Sequence, residues 1–277
     1  MGDRKAPGAL AVITEPDFEA LVIGAHPDDD DFGAAGTSAL WASQGKKIAW
    51  VVMTDGTEGS EVPNIDEEDF IRTREQEQRA SCELLGVKAV EFLRFHDGHL
   101  TNNEETRRAV VKLIRKYRPR VIITHDPSQH IFGPDPDEKP DDTGYLNHPD
   151  HRATGNIVLD AIFPAAGNPR SYRDLLVEDL QPYKVHEVYL FGTREFNTFV
   201  DISETVDLKA KAILCHLTQF GPDAVTEMPP RMREMSGRMA KIAQEQKGLD
   251  IQYAEAFRRV KLYIPPTPKE EVPTENS

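Results

Sequence analysis

The chain has 277 residues, 39% of them hydrophobic and 29% charged, and 33 Lys plus Arg against 47 Asp plus Glu leave a net charge of −14. That balance argues against a nucleic-acid or anionic-membrane surface, and the two cysteines, Cys82 and Cys215, read as core residues and exclude a disulfide framework. No secretory signal opens the chain and no apolar run approaches the ~20 residues of a membrane helix, so a cytoplasmic protein with no membrane insertion is expected.

Residues 1–18 read as a polar lead-in. A single domain is expected over 19–264, followed by a disordered tail over 265–277 (PPTPKEEVPTENS). The apolar run Leu21–Ala25 predicts a buried strand. It leads into His26-Pro27 and four consecutive carboxylates, Asp28 to Asp31, before a helix predicted over about Gly33–Gln44. Strands follow at Ile48–Thr54, Ala89–Phe95 and Val121–Thr124, with helices between them at about Glu68–Leu85 and Asn103–Tyr117. This alternation calls for an α/β fold: a Rossmann-like, mostly parallel sheet with helices on both faces, in three layers.

An irregular stretch, Ser128–Asn147, then leads to His148-Pro149-Asp150-His151, which opens a helix to about Phe163. Strands at Val185–Phe191 and Phe199–Ile202 and helices at Asp207–Phe220 and Pro230–Gln246 complete the prediction.

Two clusters carry chemistry. The four aspartates stand where a strand end meets a helix, the crevice in which open α/β sheets bind ligands. Adjacent carboxylates repel one another, and a bound cation relieves that repulsion. An imidazole beside them favours a transition metal over calcium or magnesium. His148 and His151, three apart at a helix start, can share one face, and Asp150 can orient one of them. His26, one of Asp28 or Asp29, and one of His148 or His151 together give two imidazoles and a carboxylate. Zinc accepts that set with an open position, and so does Fe(II) in non-haem oxygenases. The surplus carboxylate and histidine suit the base and acid of a hydrolase. A dinucleotide-binding module fits poorly, since GxGxxG is absent and four aspartates repel a pyrophosphate.

AHPDD at 25–29, Thr54-Asp55-Gly56, Arg74 to Glu77 ahead of LLGV, and HPDH at 148–151 make the chain similar to the PIG-L / LmbE-like deacetylase family over about Leu21 to Gln219. That family includes N-acetylglucosaminyl-phosphatidylinositol de-N-acetylases and the mycothiol- and bacillithiol-pathway sugar deacetylases. The resemblance implies a zinc-dependent hydrolase, with Fe2+ as the alternative ion, that removes the N-acetyl group from an N-acetylglucosamine-type sugar or conjugate. An amidase acting on another small amide conjugate is the runner-up. The resemblance makes His26, Asp29 and His151 the zinc ligands and Asp28 the general base. It makes His148 the acid that protonates the leaving amine or stabilises the oxyanion, with Asp150 orienting it. Arg74 and Asp97 fall at sugar-binding positions. His216 lies in a family-like segment and takes no role from it, and homo-oligomers occur in the family without being implied by motif. Two departures stand out: Asp30 replaces the usual Glu, and Tyr145 lies three residues before His148 where mycothiol-type members have a tyrosine two before.

Overall fold

The computed structural model describes residues 12–132, 144–221 and 223–263. Four parallel strands come first: β1 (Phe18–Gly24), β2 (Ile48–Thr54), β3 (Ala89–Phe95) and β4 (Pro119–His125). The helices between them are α1 (Asp29–Ser43), α2 (Glu67–Leu85) and α3 (Glu104–Tyr117). A short hairpin, β5 (Ile131–Phe132) with β6 (Tyr145–Leu146), precedes α4 (Pro149–Asp160). Then follow β7 (Glu187–Phe191), β8 (Thr198–Asp201), α5 (Val206–Ile213), α6 (Ala224–Lys247) and β9 (Ala254–Lys261). Seven strands form one sheet in the order β3-β2-β1-β4-β7-β9-β8, in which β9 alone runs against its neighbours.

Period-two alternation along β1 splits the core between two faces. Leu21 and Ile23 pack with Val110, Ile114 and Ile157 of α3 and α4, whereas Ala20 and Val22 pack with Ala35, Leu85 and Ala212 of α1, α2 and α5. This is the three-layer α/β arrangement the alternation of elements calls for. The strand order reverses between β1 and β4, which creates the switch-point crevice at their C-terminal ends. Thr54 and Thr124 fix those ends, because their hydroxyls donate to the carbonyls of Ala25 and Ile23 at 2.8 Å each.

The structure departs from the sequence reading in several places. The aspartates are not a loop ahead of a helix at Gly33: α1 starts at Asp29, so three of them form its first turn, where the free N–H groups favour negative charge. β9 was not expected, because Arg258 and Arg259 interrupt its apolar alternation. Arg259 nevertheless serves the strand by pairing with Glu187 of β7. α5 ends at Ile213 rather than Phe220. α6 starts at Ala224 and carries Pro229 and Pro230 inside its first two turns rather than beginning at them. Beyond Asp160, Ala161–Ala166 continues α4 irregularly, with Phe163 extended at φ −136°. The expected tail over 265–277 and the middle of the Ser128–Asn147 stretch lie outside the described residues.

Candidate active site

Gly24 ends β1 because a Cβ there would lie 2.7 Å from Asp30 Oδ1 and 2.9 Å from Asp29 Cβ. The missing side chain lets the first turn of α1 close onto the strand. Asp29 Oδ2 then accepts from the backbone N–H of Ala25 at 3.1 Å and of His26 at 2.7 Å. The same carboxylate faces His26 Nδ1 at 3.2 Å, His125 Nε2 at 3.3 Å and, through Oδ1, His151 Nε2 at 3.1 Å. Burial pushes Asp29 up, but the imidazoles of His151 and His125 outweigh it and hold the carboxyl well below its usual range.

Four histidines converge here. His26 meets His148 edge-on, at 4.7 Å between ring centroids, and His125 stacks on His151 at 4.2 Å. Among the described residues, possible ligand atoms lie within 4.8 Å of one another in three sets: His26, His148 and His151; Asp29, His125 and His151; and His26, Asp97 and Asp150. His151 belongs to two of them. Its Nδ1 lies 3.1 Å from Asn147 Oδ1, and Asn147 Nδ2 donates to the Gln129 carbonyl, so the amide presents its oxygen and the imidazole proton sits on Nδ1. That leaves His151 Nε2 free to ligate. His26 Nε2 is buried on the other side of the ring and faces Asp97 Oδ1 at 3.0 Å. The imidazoles of His26, through Nδ1, and His151, through Nε2, converge on the Asp29 carboxylate, a donor set that fits a divalent ion of the zinc or iron type.

Asp28 lies beside this group at φ 100°, outside the conformations an aspartate ordinarily adopts. Burial, then the charge of Asp29, push its carboxyl up to about 7. His148 caps α4, and its Nδ1 accepts from the Asp150 backbone N–H at 3.2 Å. The imidazole therefore carries its proton on Nε2. Burial, then His26 and His151, lower its pKa.

Asp150 does not orient His148 with its carboxylate. That group is fully buried and accepts from the N–H of Gly98 at 2.7 Å and Leu100 at 3.2 Å, with His26 Nε2 3.5 Å away. Only the backbone of Asp150 touches the His148 ring. Asp97 is buried, accepts from Glu58 N at 3.1 Å and faces His26. Burial pushes Asp97 up, but hydrogen bonding to His26 contributes to a net lowering. Arg74 is 2% exposed and spends its terminal nitrogens on the carbonyls of Gly56 and Pro27, each at 2.7 Å, with Asp28 Oδ2 at 3.6 Å.

His216 is fully buried with Nε2 3.0 Å from Asp31 Oδ2. Tyr145 is exposed and stacks on Phe132 at 4.7 Å. Both rings line a cleft of about 1040 Å³ that reaches Asp29, His125 and His151. His125 joins the site from outside the two sequence motifs. The signal was present, a histidine ending a strand of a parallel sheet, but only the strand order shows that β4 flanks the crevice.

Comparison with known proteins gives a consistent picture. The GlcNAc-PI de-N-acetylase (PIG-L) family matches residues 21–162. Diacetylchitobiose deacetylase of Thermococcus kodakarensis is 30% identical over 242 residues, covering 87% of this chain and 83% of that one. A 1D-myo-inositol 2-acetamido-2-deoxy-alpha-D-glucopyranoside deacetylase of Salinispora arenicola is 28% identical over 234 residues, covering 71% and 68%. Among solved structures, N,N'-diacetylchitobiose deacetylase of Pyrococcus horikoshii in complex with an inhibitor superposes with a TM-score of 0.74 at 29% identity, covering 87% of this chain and 83% of that one.

Proposed function

The chain belongs to the PIG-L family of N-deacetylases, and from that premise we propose that it hydrolyses the acetamide of an N-acetylglucosamine unit, free or conjugated, with a divalent ion held by His26, Asp29 and His151. The observation that carries this reading is that the Asp29 carboxylate meets His26 and His151 at the β1/β4 switch point, with His148 against His26 and Asp28 next to Asp29 in the chain. Zinc is the proposed ion. When bound, it lowers the pKa of a coordinated water and polarises the amide carbonyl.

The chain's own residues supply the proton traffic. Asp28, with its carboxyl at about 7, is poised near the operating pH where a general base works best. It takes the proton of the attacking water. His148 donates a hydrogen bond from Nε2–H to the oxygen that gains charge as the amide carbon becomes tetrahedral, and Asp28 passes the proton it took from water to the departing amine. Asp97 and Asp150 hold His26 from the side opposite Asp29. Arg74 sits too deep to reach a sugar directly, and we assign it to positioning. Phe132 and Tyr145 support a role in substrate choice for the ends of the Ser128–Asn147 stretch. No helix among the described residues is long and apolar enough to cross a membrane. A cytoplasmic location remains part of the proposal, as does a single domain over 19–264, supported by the one continuous sheet.

The test is acetate release from N-acetylglucosamine, N,N'-diacetylchitobiose and an N-acetylglucosaminyl-inositol, with zinc or iron(II) restored to chelator-treated protein. Turnover of at least one substrate only after metal is returned is expected. Release from none of them would overturn the reading.

A further inference from the structure

Asp28 is strained, and one turn of α2 holds the strain in place. The peptide unit that precedes it has two polar ends, the Pro27 carbonyl and the Asp28 N–H. Arg74 donates to the first at 2.7 Å, and Gln78 Oε1 accepts from the second at 2.9 Å. Arg74 and Gln78 are i and i+4 on α2, so they are neighbours on one helix face. Both are buried. The Gln78 amide cannot be turned over, because its Nε2 donates to Asp31 Oδ2 at 2.8 Å while the Asp28 N–H can only donate. On the other side of the residue, the Asp28 carbonyl accepts from Asp31 N at 3.0 Å and Phe32 N at 3.1 Å, inside the first turn of α1. Relaxation of φ from 100° towards negative values turns the Pro27–Asp28 peptide plane, and both α2 contacts oppose that turn.

We propose that Arg74 and Gln78 clamp the Pro27–Asp28 peptide and are positioning residues that keep the Asp28 carboxylate aimed at the reacting water. The inference rests on the assignment of Asp28 as the base. It makes α2, which contributes no group to the reaction itself, the element that sets the aim of the proton acceptor.

The test compares three variants with the unmodified enzyme on N,N'-diacetylchitobiose, with metal content measured in each. Gln78→Met keeps the length and removes both hydrogen bonds. A fall in kcat of about tenfold or more, with KM within about twofold and metal retained, is expected, because a misaimed catalytic group loses rate without losing substrate binding. Arg74→Lys cannot reach both carbonyls and is expected to lower kcat in the same way. If Arg74 instead gripped the sugar, KM would rise with kcat held, which would overturn its place in the clamp. Leu85→Ala loosens α2 without touching the peptide and is expected to keep kcat within about twofold. An equal loss there would reduce the effect to general loosening and overturn the proposal. A crystal structure of Gln78→Met decides the geometry: Asp28 is expected to leave φ near +100°, and an unmoved Asp28 overturns the clamp. If the unmodified enzyme turns over none of the sugars, the proposed activity fails, while the clamp still stands or falls on that crystal structure.

Discussion

Arg115 and Asp30 are both buried, at 2% and 0% exposure, and the fold provides for them in opposite ways. Arg115 on α3 makes five hydrogen bonds, to the carbonyls of Ala165, Ala166, Asn168, Ser171 and Tyr172, and so ties down the irregular segment after α4. Asp30, in the first turn of α1, has no hydrogen-bond partner on either oxygen among the described residues. Burial, followed by the charges of Asp29, Asp31 and Asp28, pushes its carboxyl well above the usual range. Where only stability is at stake, buried polar groups are satisfied. Asp30 sits next to Asp29, a proposed ligand of the ion, where its unpaired burial adds nothing to stability. A buried carboxyl left unpaired beside a proposed ligand is a feature that stability alone does not call for.

The largest expected effect lies on the site side of this comparison. Asp28→Asn keeps the shape and removes the proton acceptor, so turnover should fall on the order of 10²-fold or more with metal retained. Steady-state kinetics paired with elemental analysis check it. Near-normal turnover with bound metal would move the base elsewhere.

Next comes the satisfied side. Arg115→Met strands several buried carbonyls and should cost about 3 kcal/mol or more of unfolding free energy. Turnover measured well below the melting temperature should hold, because Arg115 touches nothing in the crevice. Urea denaturation gives the first quantity, and an unchanged midpoint would remove Arg115 as a structural tie.

The smallest effect has an unusual sign. Asp30 holds its proton to a higher pH when folded than when unfolded, which favours the unfolded chain once the pH passes the ordinary carboxylate range. Its folded pKa lies above the ordinary value of 3.8, so the native protein loses stability relative to a non-titrating side chain as pH rises above about 4. Asp30→Asn should therefore match the unmodified protein near pH 4 and exceed it in stability at pH 7. Equal stability at both values would mean that Asp30 finds a partner and that the contrast with Arg115 is false.

Much of the fold was legible because local patterns set it. β2 and β3 have the bounds their apolar runs suggest, and Gly86 closes α2 in the left-handed conformation a C-terminal glycine signals. What escaped depended on distant partners. β9 is held as a strand between β7 and β8, with Arg259 paired to Glu187 across the sheet. The first turn of α1 reaches back to Asp29 because Gly24 leaves room for it. The site divides the same way. His26, Asp28, Asp29, His148 and His151 sit in two short motifs, and the structure brings those motifs together. His125 enters through strand order. The true contacts of Asp150 and Arg74, backbone groups of Gly98, Leu100, Gly56 and Pro27, belong to loops whose proximity no spacing encodes.

The central claim is that His26, Asp29 and His151 together hold one divalent ion. Elemental analysis of the purified chain and of His151→Ala, each loaded with zinc and then desalted, tests it most directly. About one ion per chain is expected in the unmodified protein, as a three-ligand site binds, and near-complete loss in the variant. Full occupancy in His151→Ala would contradict the account.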